Sequence, residues 1–200
     1  MISVIMLAAG QSSRMGGENK LTKNFNGIPL IKYAIKNILA STVDEVIIVL
    51  GYEQDLVKNA IGVSKKIKFA YNKDYEKGIS FSIKTGLNHI SKKSEAFFIS
   101  LGDMPDINQN IYNKLIKSKH NYNKKLMPGK KKEIIIPVFE KKEGNPILFS
   151  KFMKEEIMNI KGDYGARKIV EKNKNKVLHV PIKSSGITLD FDTQRDFIPL

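Results

Sequence analysis

Cysteine is absent from this 200-residue chain, so it has no disulfide framework, no thiolate nucleophile and no thiolate metal site. Long apolar runs are missing too: no segment approaches the roughly 20 apolar residues that a membrane span requires. The opening Met-Ile-Ser-Val-Ile runs straight into a strand pattern, without the basic region or cleavage site of a signal peptide, and a cytoplasmic location is expected. Arginine is scarce: Arg14, Arg167 and Arg195 are the only three among 34 basic residues. A dedicated nucleic-acid surface leans on arginine forks and stacking aromatics. The net charge of +14 is therefore read first as a solvated lysine surface. Attraction for an anionic small ligand comes second, and nucleic acid third.

What is present is an ordinary globular composition, 42% hydrophobic and 27% charged, long enough for one well-buried domain. Strand and helix patterns alternate along it. Apolar runs at Ser3–Leu7, Glu45–Leu50, Lys66–Tyr71, Ala96–Leu101, Ile134–Phe139, Pro146–Phe149 and Val177–Val180 read as strands. Helical spacing predicts a helix following Pro29, with Leu30, Ile31, Ala34, Ile35, Ile38 and Leu39 on its apolar face. Others fall at Asp55–Ile61, at Ser80–Ile90 and around Ile111, Leu115 and Ile116, and two more lie beyond Phe149. The lysine-rich stretch Lys117–Lys132, with Pro128 and Gly129, reads as a mobile surface loop. The alternation implies right-handed crossovers and a three-layer α/β/α sandwich, mostly parallel and Rossmann-like, in a single domain covering residues 1–200.

In such sheets ligands bind beyond the carboxyl ends of the strands. Three polar segments leave strands there: residues 8–20, the Gly102-Asp103 turn, and Asp190-Phe191-Asp192. The first is neither a P-loop nor a G-x-G-x-x-G fingerprint. Its glycines nonetheless let backbone N–H groups crowd an anion, and Arg14 and Lys20 add positive charge. Taken alone, Asp103 is equally a turn residue, and in a generic Gly/Ser loop Arg14 and Lys20 read first as two solvated cations. His89, His120 and His179 are scattered singly and carry no site.

The string "LAAGQSSRMGGENKL" (7–21) resembles the signature loop of the nucleotidyltransferases that modify the molybdenum cofactor, and among them the molybdenum cofactor cytidylyltransferases. "NKDYEKGISFSIKTGL" (72–87), "SLGDMPDI" (100–107), "GNPILFS" (144–150), "GDYGARKIV" (162–170) and "DFDTQRDF" (190–197) follow in the family's order. The resemblance implies transfer of CMP from CTP to molybdopterin with release of pyrophosphate. It places nucleotide binding in residues 1–107 and acceptor binding in 108–200. Leu7, Ala8, Ala9, Gly10, Arg14, Lys20, Gly78, Ser80 and Ser82 would hold the nucleotide, and Asn145, Pro146 and Arg167 the acceptor. Arg14, Lys20 and Asp103 would carry catalysis, and Asp103 with Asp192 would hold Mg²⁺, Asp190 being the alternative second ligand. A monomer that hands its product to a molybdenum hydroxylase is the corresponding expectation for partners.

Two departures stand out. Asn145 occupies a position where the family commonly has histidine, and the loop before Lys20 is one residue longer than in many cytidylyl members, as in guanylyl relatives. Leu-Ala-Ala-Gly, against the guanylyl relatives' Leu-Ala-Gly-Gly, favours cytidine. A guanylyl or sugar-phosphate nucleotidyltransferase of the same fold is the neighbouring alternative. A non-catalytic polyanion binder is the alternative of another class.

Overall fold

The computed structural model describes residues 1–124, 126–127, 130–160, 162 and 165–197. Its order is β1 (Ile2–Ala8), β2 (Asn24–Phe25), β3 (Ile28–Pro29), α1 (Leu30–Leu39), β4 (Glu45–Leu50), α2 (Gln54–Ile61), β5 (Ile67–Tyr71), α3 (Ile79–His89) and β6 (Ala96–Leu101). There follow α4 (Gln109–Lys124), β7 (Ile134–Phe139), β8 (Lys142–Glu143), β9 (Ile147–Ser150), α5 (Lys154–Met158), α6 (Arg167–Lys172) and β10 (Val177–Pro181).

Alternation of side chains along β1 splits the core into two layers. Val4, Met6 and Ala8 project to one face and pack with α1, α2 and α4 through Ile31, Val57, Ile111 and Leu115. Ile5 and Ala9 project to the other and join Ile83, Leu87, Ile157 and Ile169 of α3, α5 and α6. β4 is buried along its whole length, as expected for a parallel strand covered on both faces. The sheet runs β10-β7-β9-β6-β1-β4-β5, with β8 paired to β7. β1, β4, β5 and β6 pair in parallel, whereas β9 runs antiparallel to both β6 and β7. The expected α/β fold is thus present as a mixed sheet of eight strands between helical layers. Among the described residues no helix is long and apolar enough to cross a membrane.

Two local features depart from the sequence expectations. α4 continues to Lys124, so the first half of Lys117–Lys132 is helix rather than loop; Pro128 and Gly129 lie outside the described residues. Ile111, Tyr112 and Leu115 supply the buried stripe that holds this otherwise polar helix on the sheet. The second feature is a small hairpin, β2–β3, turning through Asn26 (φ 47°) and Gly27 (φ 91°). Two consecutive left-handed residues match the tight turn that Asn-Gly pairs favour.

At the amino end of the sheet Glu45 is buried and accepts hydrogen bonds from the Ser3 hydroxyl and the Ser91 N–H at 2.6 Å and from Lys68 Nζ at 2.8 Å. Burial by itself would push its carboxyl up from 4.5; Lys68, Ser3 and Ser91 together bring it below that value. A depressed folded value stabilises the protein above the ordinary carboxyl range, and the contribution fades as pH falls through the folded value. Glu45→Gln should therefore cost about 1–3 kcal/mol at pH 7, because it disturbs three hydrogen bonds to a buried carboxyl, one of them itself fully buried. Urea unfolding should show the gap from wild type narrowing below pH 4.5. A gap independent of pH would contradict this account.

Candidate functional site

The parallel strands β1, β4 and β6 end together, and a cleft of about 560 Å³ opens beyond them. The loop after β1 shapes its first wall. Met15 is fully buried and pins the loop to the core, while Ser12, Gly16 and Gly17 take positive φ to turn the chain around it. Asn19 then locks the return: its carbonyl accepts the N–H groups of Thr22 and Lys23, and its side-chain oxygen accepts that of Leu21. The Lys20 N–H donates to the Ser12 hydroxyl. This folding delivers the Lys20 side chain inward.

There the Lys20 ammonium lies 2.5 Å from a carboxylate oxygen of Asp103 and 2.5 Å from one of Asp192. Arg14, mostly exposed at the rim, pairs with the other oxygen of Asp192. Asp190 completes a cluster in which Asp103, Asp190 and Asp192 each offer one oxygen within 4.8 Å of the others. The segments are tied at the backbone as well, the Phe191 N–H donating to the Asp103 carbonyl at 3.0 Å.

Electrostatics separates the two paired carboxyls. Burial pushes Asp103 up from its ordinary value, and the opposing charge of Lys20 does not cancel that. For Asp192, burial pushes the same way, but Lys20 and Arg14 overcome it and hold the group below its ordinary value. Burial lowers Lys20 in turn, and the charges of Asp103 and Asp192 more than restore it. Asp103 Oδ1 is buried and, among the described residues, has no hydrogen-bond partner. Three oxygen donors, one of them orphaned, suit a hard divalent cation, and Lys20 supplies counter-charge to the same cluster.

Leu7, Ala8, Ala9, Gly10, Lys20, Gly78, Ser82 and Asp103 all line the cleft. Ser80 does not: its hydroxyl is buried and donates to the Gly162 carbonyl at 2.5 Å. Asn145, Pro146 and Arg167 also lie outside the lining. They are brought near each other instead, since Arg167 donates to the carbonyl of Glu143 and the Asn145 N–H donates to Ile187. Of "GDYGARKIV", Asp163 and Tyr164 fall outside the described residues.

The sequence reading singled out the segment 72–87 but not Tyr75, Glu76 and Lys77, which form a wall of the cleft, nor the contact that bridges it to the first loop, Gln11 Nε2 to Glu76 Oε1 at 3.2 Å. It also missed Gly51, whose lack of a side chain lets the two walls meet. A Cβ there would lie 2.7 Å from Tyr75 Cβ, 2.8 Å from Ala9 Cβ and 2.9 Å from the Ala9 carbonyl oxygen. The available signal was a glycine immediately following a buried strand.

Residues 4–177 match the MobA-like NTP transferase domain family. The purine catabolism protein PucB of Bacillus subtilis is 27% identical over 203 residues, covering 96% of this chain and 92% of that protein. A probable molybdenum cofactor guanylyltransferase of Thermococcus sibiricus is 33% identical over 127 residues, covering 62% of this chain and 58% of that one. The bifunctional protein GlmU of Sorangium cellulosum is 29% identical over 110 residues, 52% of this chain; the match spans only 23% of GlmU. The chain likewise spans about a quarter of the other GlmU proteins of Staphylococcus epidermidis that it matches. Among solved structures, the manganese complex of Rv0371c from Mycobacterium tuberculosis shares the fold, with a TM-score of 0.78, 19% identity and coverage of 98% of this chain and 95% of that one.

Gly51→Ala should cost about 1–3 kcal/mol of stability by overpacking the junction of the two walls. Adding Ala9→Gly, which removes one of the facing methyl groups, should recover part of the loss. Urea midpoints of the single and double variants check this; an unchanged midpoint for Gly51→Ala would show that the walls are not in contact.

Proposed function

Because the chain belongs to the MobA-like NTP transferase family and is a nucleotidyltransferase, we propose that it transfers CMP from CTP to the terminal phosphate of molybdopterin. An acceptor phosphate oxygen attacks the α-phosphorus of CTP, the bond to the β-phosphate oxygen breaks, and pyrophosphate leaves. Such displacements are catalysed by positioning and charge neutralisation, with little covalent work for the protein.

The observation that carries this reading is the Lys20 ammonium shared between Asp103, which with Lys20 lines the cleft, and Asp192 just outside that lining. Asp103 and Asp192, with Asp190 as a third donor, would hold Mg²⁺, which neutralises charge on the phosphates when bound. Lys20 and Arg14 lie beside this cluster, where their charges can turn to the β- and γ-phosphates and steady the pyrophosphate as it departs. Gly10, Gln11, Ser12 and Ser13 line the cleft, where their N–H groups would receive the same phosphates. Gly78 and Ser82 lie toward the base and ribose, while Ser80 acts indirectly by fixing the backbone at Gly162. Asn145, Pro146 and Arg167 take the acceptor, so residues 1–107 serve the nucleotide and 108–200 the pterin. A monomer supplying a molybdenum hydroxylase in the cytoplasm is the setting we infer.

The choice of cytosine rests on Ala9. Its methyl packs toward Gly51, so it acts by setting where the backbone meets the base. Guanine is the second reading, favoured by the relative named as a molybdenum cofactor guanylyltransferase.

Pyrophosphate release from CTP, GTP and ATP with Mg²⁺, measured with and without molybdopterin, tests the proposal. Release should require molybdopterin and favour CTP over GTP by at least about tenfold. A preference for GTP would overturn the base assignment, and release with a sugar phosphate in place of molybdopterin would overturn the acceptor.

A further inference from the structure

Two of the three clustered carboxylates come from residues 190–192, beyond the segment 4–177 that carries the family match. Among the described residues, nothing after β10 pairs in a strand ladder. What places Asp190 and Asp192 must therefore be sought in other contacts.

The strap leading to them is first fixed by close backbone approach. A Cβ on Gly186 would lie 2.5 Å from Asp106 Cβ, and one on Gly144 would lie 2.4 Å from the Ile187 carbonyl oxygen. Beyond this point the rings take over. Phe191 meets Phe25 edge-on, with centroids 4.9 Å apart, and Phe197 at 5.6 Å; Phe25 and Phe197 are 6.2 Å apart. Phe25 sits on the β2–β3 hairpin, which α1 holds from below: Tyr33 packs on the Phe25 ring at 5.5 Å, and its hydroxyl donates to the Phe25 carbonyl. Lys23 Nζ lies 5.3 Å from the Phe197 centroid. Asp196 closes the turn by accepting the N–H groups of Asp192 at 2.9 Å and Thr193 at 2.7 Å.

Phe191 lies between the two acids in the chain, and both its N–H, which donates to the Asp103 carbonyl, and its ring are held. Anchoring the ring thereby orients both acids. We propose that Phe25, Phe191 and Phe197 form an aromatic clamp that holds Asp190 and Asp192 against Asp103, making Phe25 a positioning residue for the divalent cation. The inference rests on the reading of these aspartates as metal ligands. It gives the Asn26–Gly27 hairpin a function: Phe25 acts on the cation site through Phe191.

Titration of the full chain with Mn²⁺ alone, followed by the electron paramagnetic resonance of free Mn²⁺, tests the clamp. Phe25→Ala should weaken Mn²⁺ binding by about 10–100-fold, the cost typical of losing support behind a metal ligand, while the urea midpoint stays near wild type. Phe25→Tyr, which keeps the ring, should restore the affinity. The chain has no tryptophan, so Phe197→Trp introduces a single reporter of strap docking. In that background Phe25→Ala should shift the emission to the red. Wild-type Mn²⁺ affinity or unchanged emission in Phe25→Ala would overturn the clamp. Should Phe25→Ala lose cooperative unfolding, Phe25→Leu takes its place, and wild-type affinity there overturns the clamp equally. A wild-type chain that binds no Mn²⁺ would overturn both the clamp and the metal reading; normal wild-type binding with unaffected variants would overturn the clamp alone.

Discussion

One ammonium group holds three distant parts of this chain together. Lys20 comes from the loop after β1, Asp103 from the turn after β6 and Asp192 from the strap after β10, and the Lys20 Nζ touches both acids. Without that charge, three carboxylates would crowd one partly buried spot with only Arg14 at the rim to offset them. Uncompensated charge of this kind is costly away from water. The same arrangement is the one on which the proposed binding of a cation and a triphosphate relies. The carboxylates are gathered but not exhausted, since among the described residues Asp103 Oδ1 has no partner, and the two basic groups stand beside them.

The fold exists to bring those parts to one place. Parallel pairing of β1, β4 and β6 stacks their carboxyl ends, and two-sided burial of these strands makes the floor rigid. Rigid strands carrying short loops give more precise placement than loops alone. The walls of the cleft meet through Gly51, and the strap is seated through Gly186 and Gly144, three positions where a single added carbon would collide with a neighbour.

The apolar runs of the main strands and the helical spacing of α1 to α4 were legible because burial imposes periodicity on residue type. Arg14, Lys20 and the three aspartates were singled out by the resemblance of their motifs to the family, since charge alone left them equally turn or surface residues. Less visible was whatever depends on where one segment lands on another. Ser80 was expected in the cleft from the family resemblance, with a helix start as its plainer reading, and its hydroxyl turns to Gly162. Gly51 and the Gln11–Glu76 contact join segments remote in sequence. The β2–β3 hairpin was overlooked although Asn26-Gly27 is a strong turn signal, because its strands are only two residues long and carry no periodicity. The extension of α4 was hidden by lysines that read as loop composition, while its buried face rests on Ile111, Tyr112 and Leu115. The net charge of +14 likewise says little about the site, which draws on Lys20 and Arg14 from 34 basic residues.

The most direct test of the central claim replaces Asp103 with asparagine, which keeps the shape and removes the charge. Initial rates of pyrophosphate release should fall at least about 100-fold, the scale on which a lost transition-state electrostatic contact is felt, while the urea unfolding transition remains cooperative. A folded Asp103→Asn variant that turns over at the wild-type rate would contradict the account.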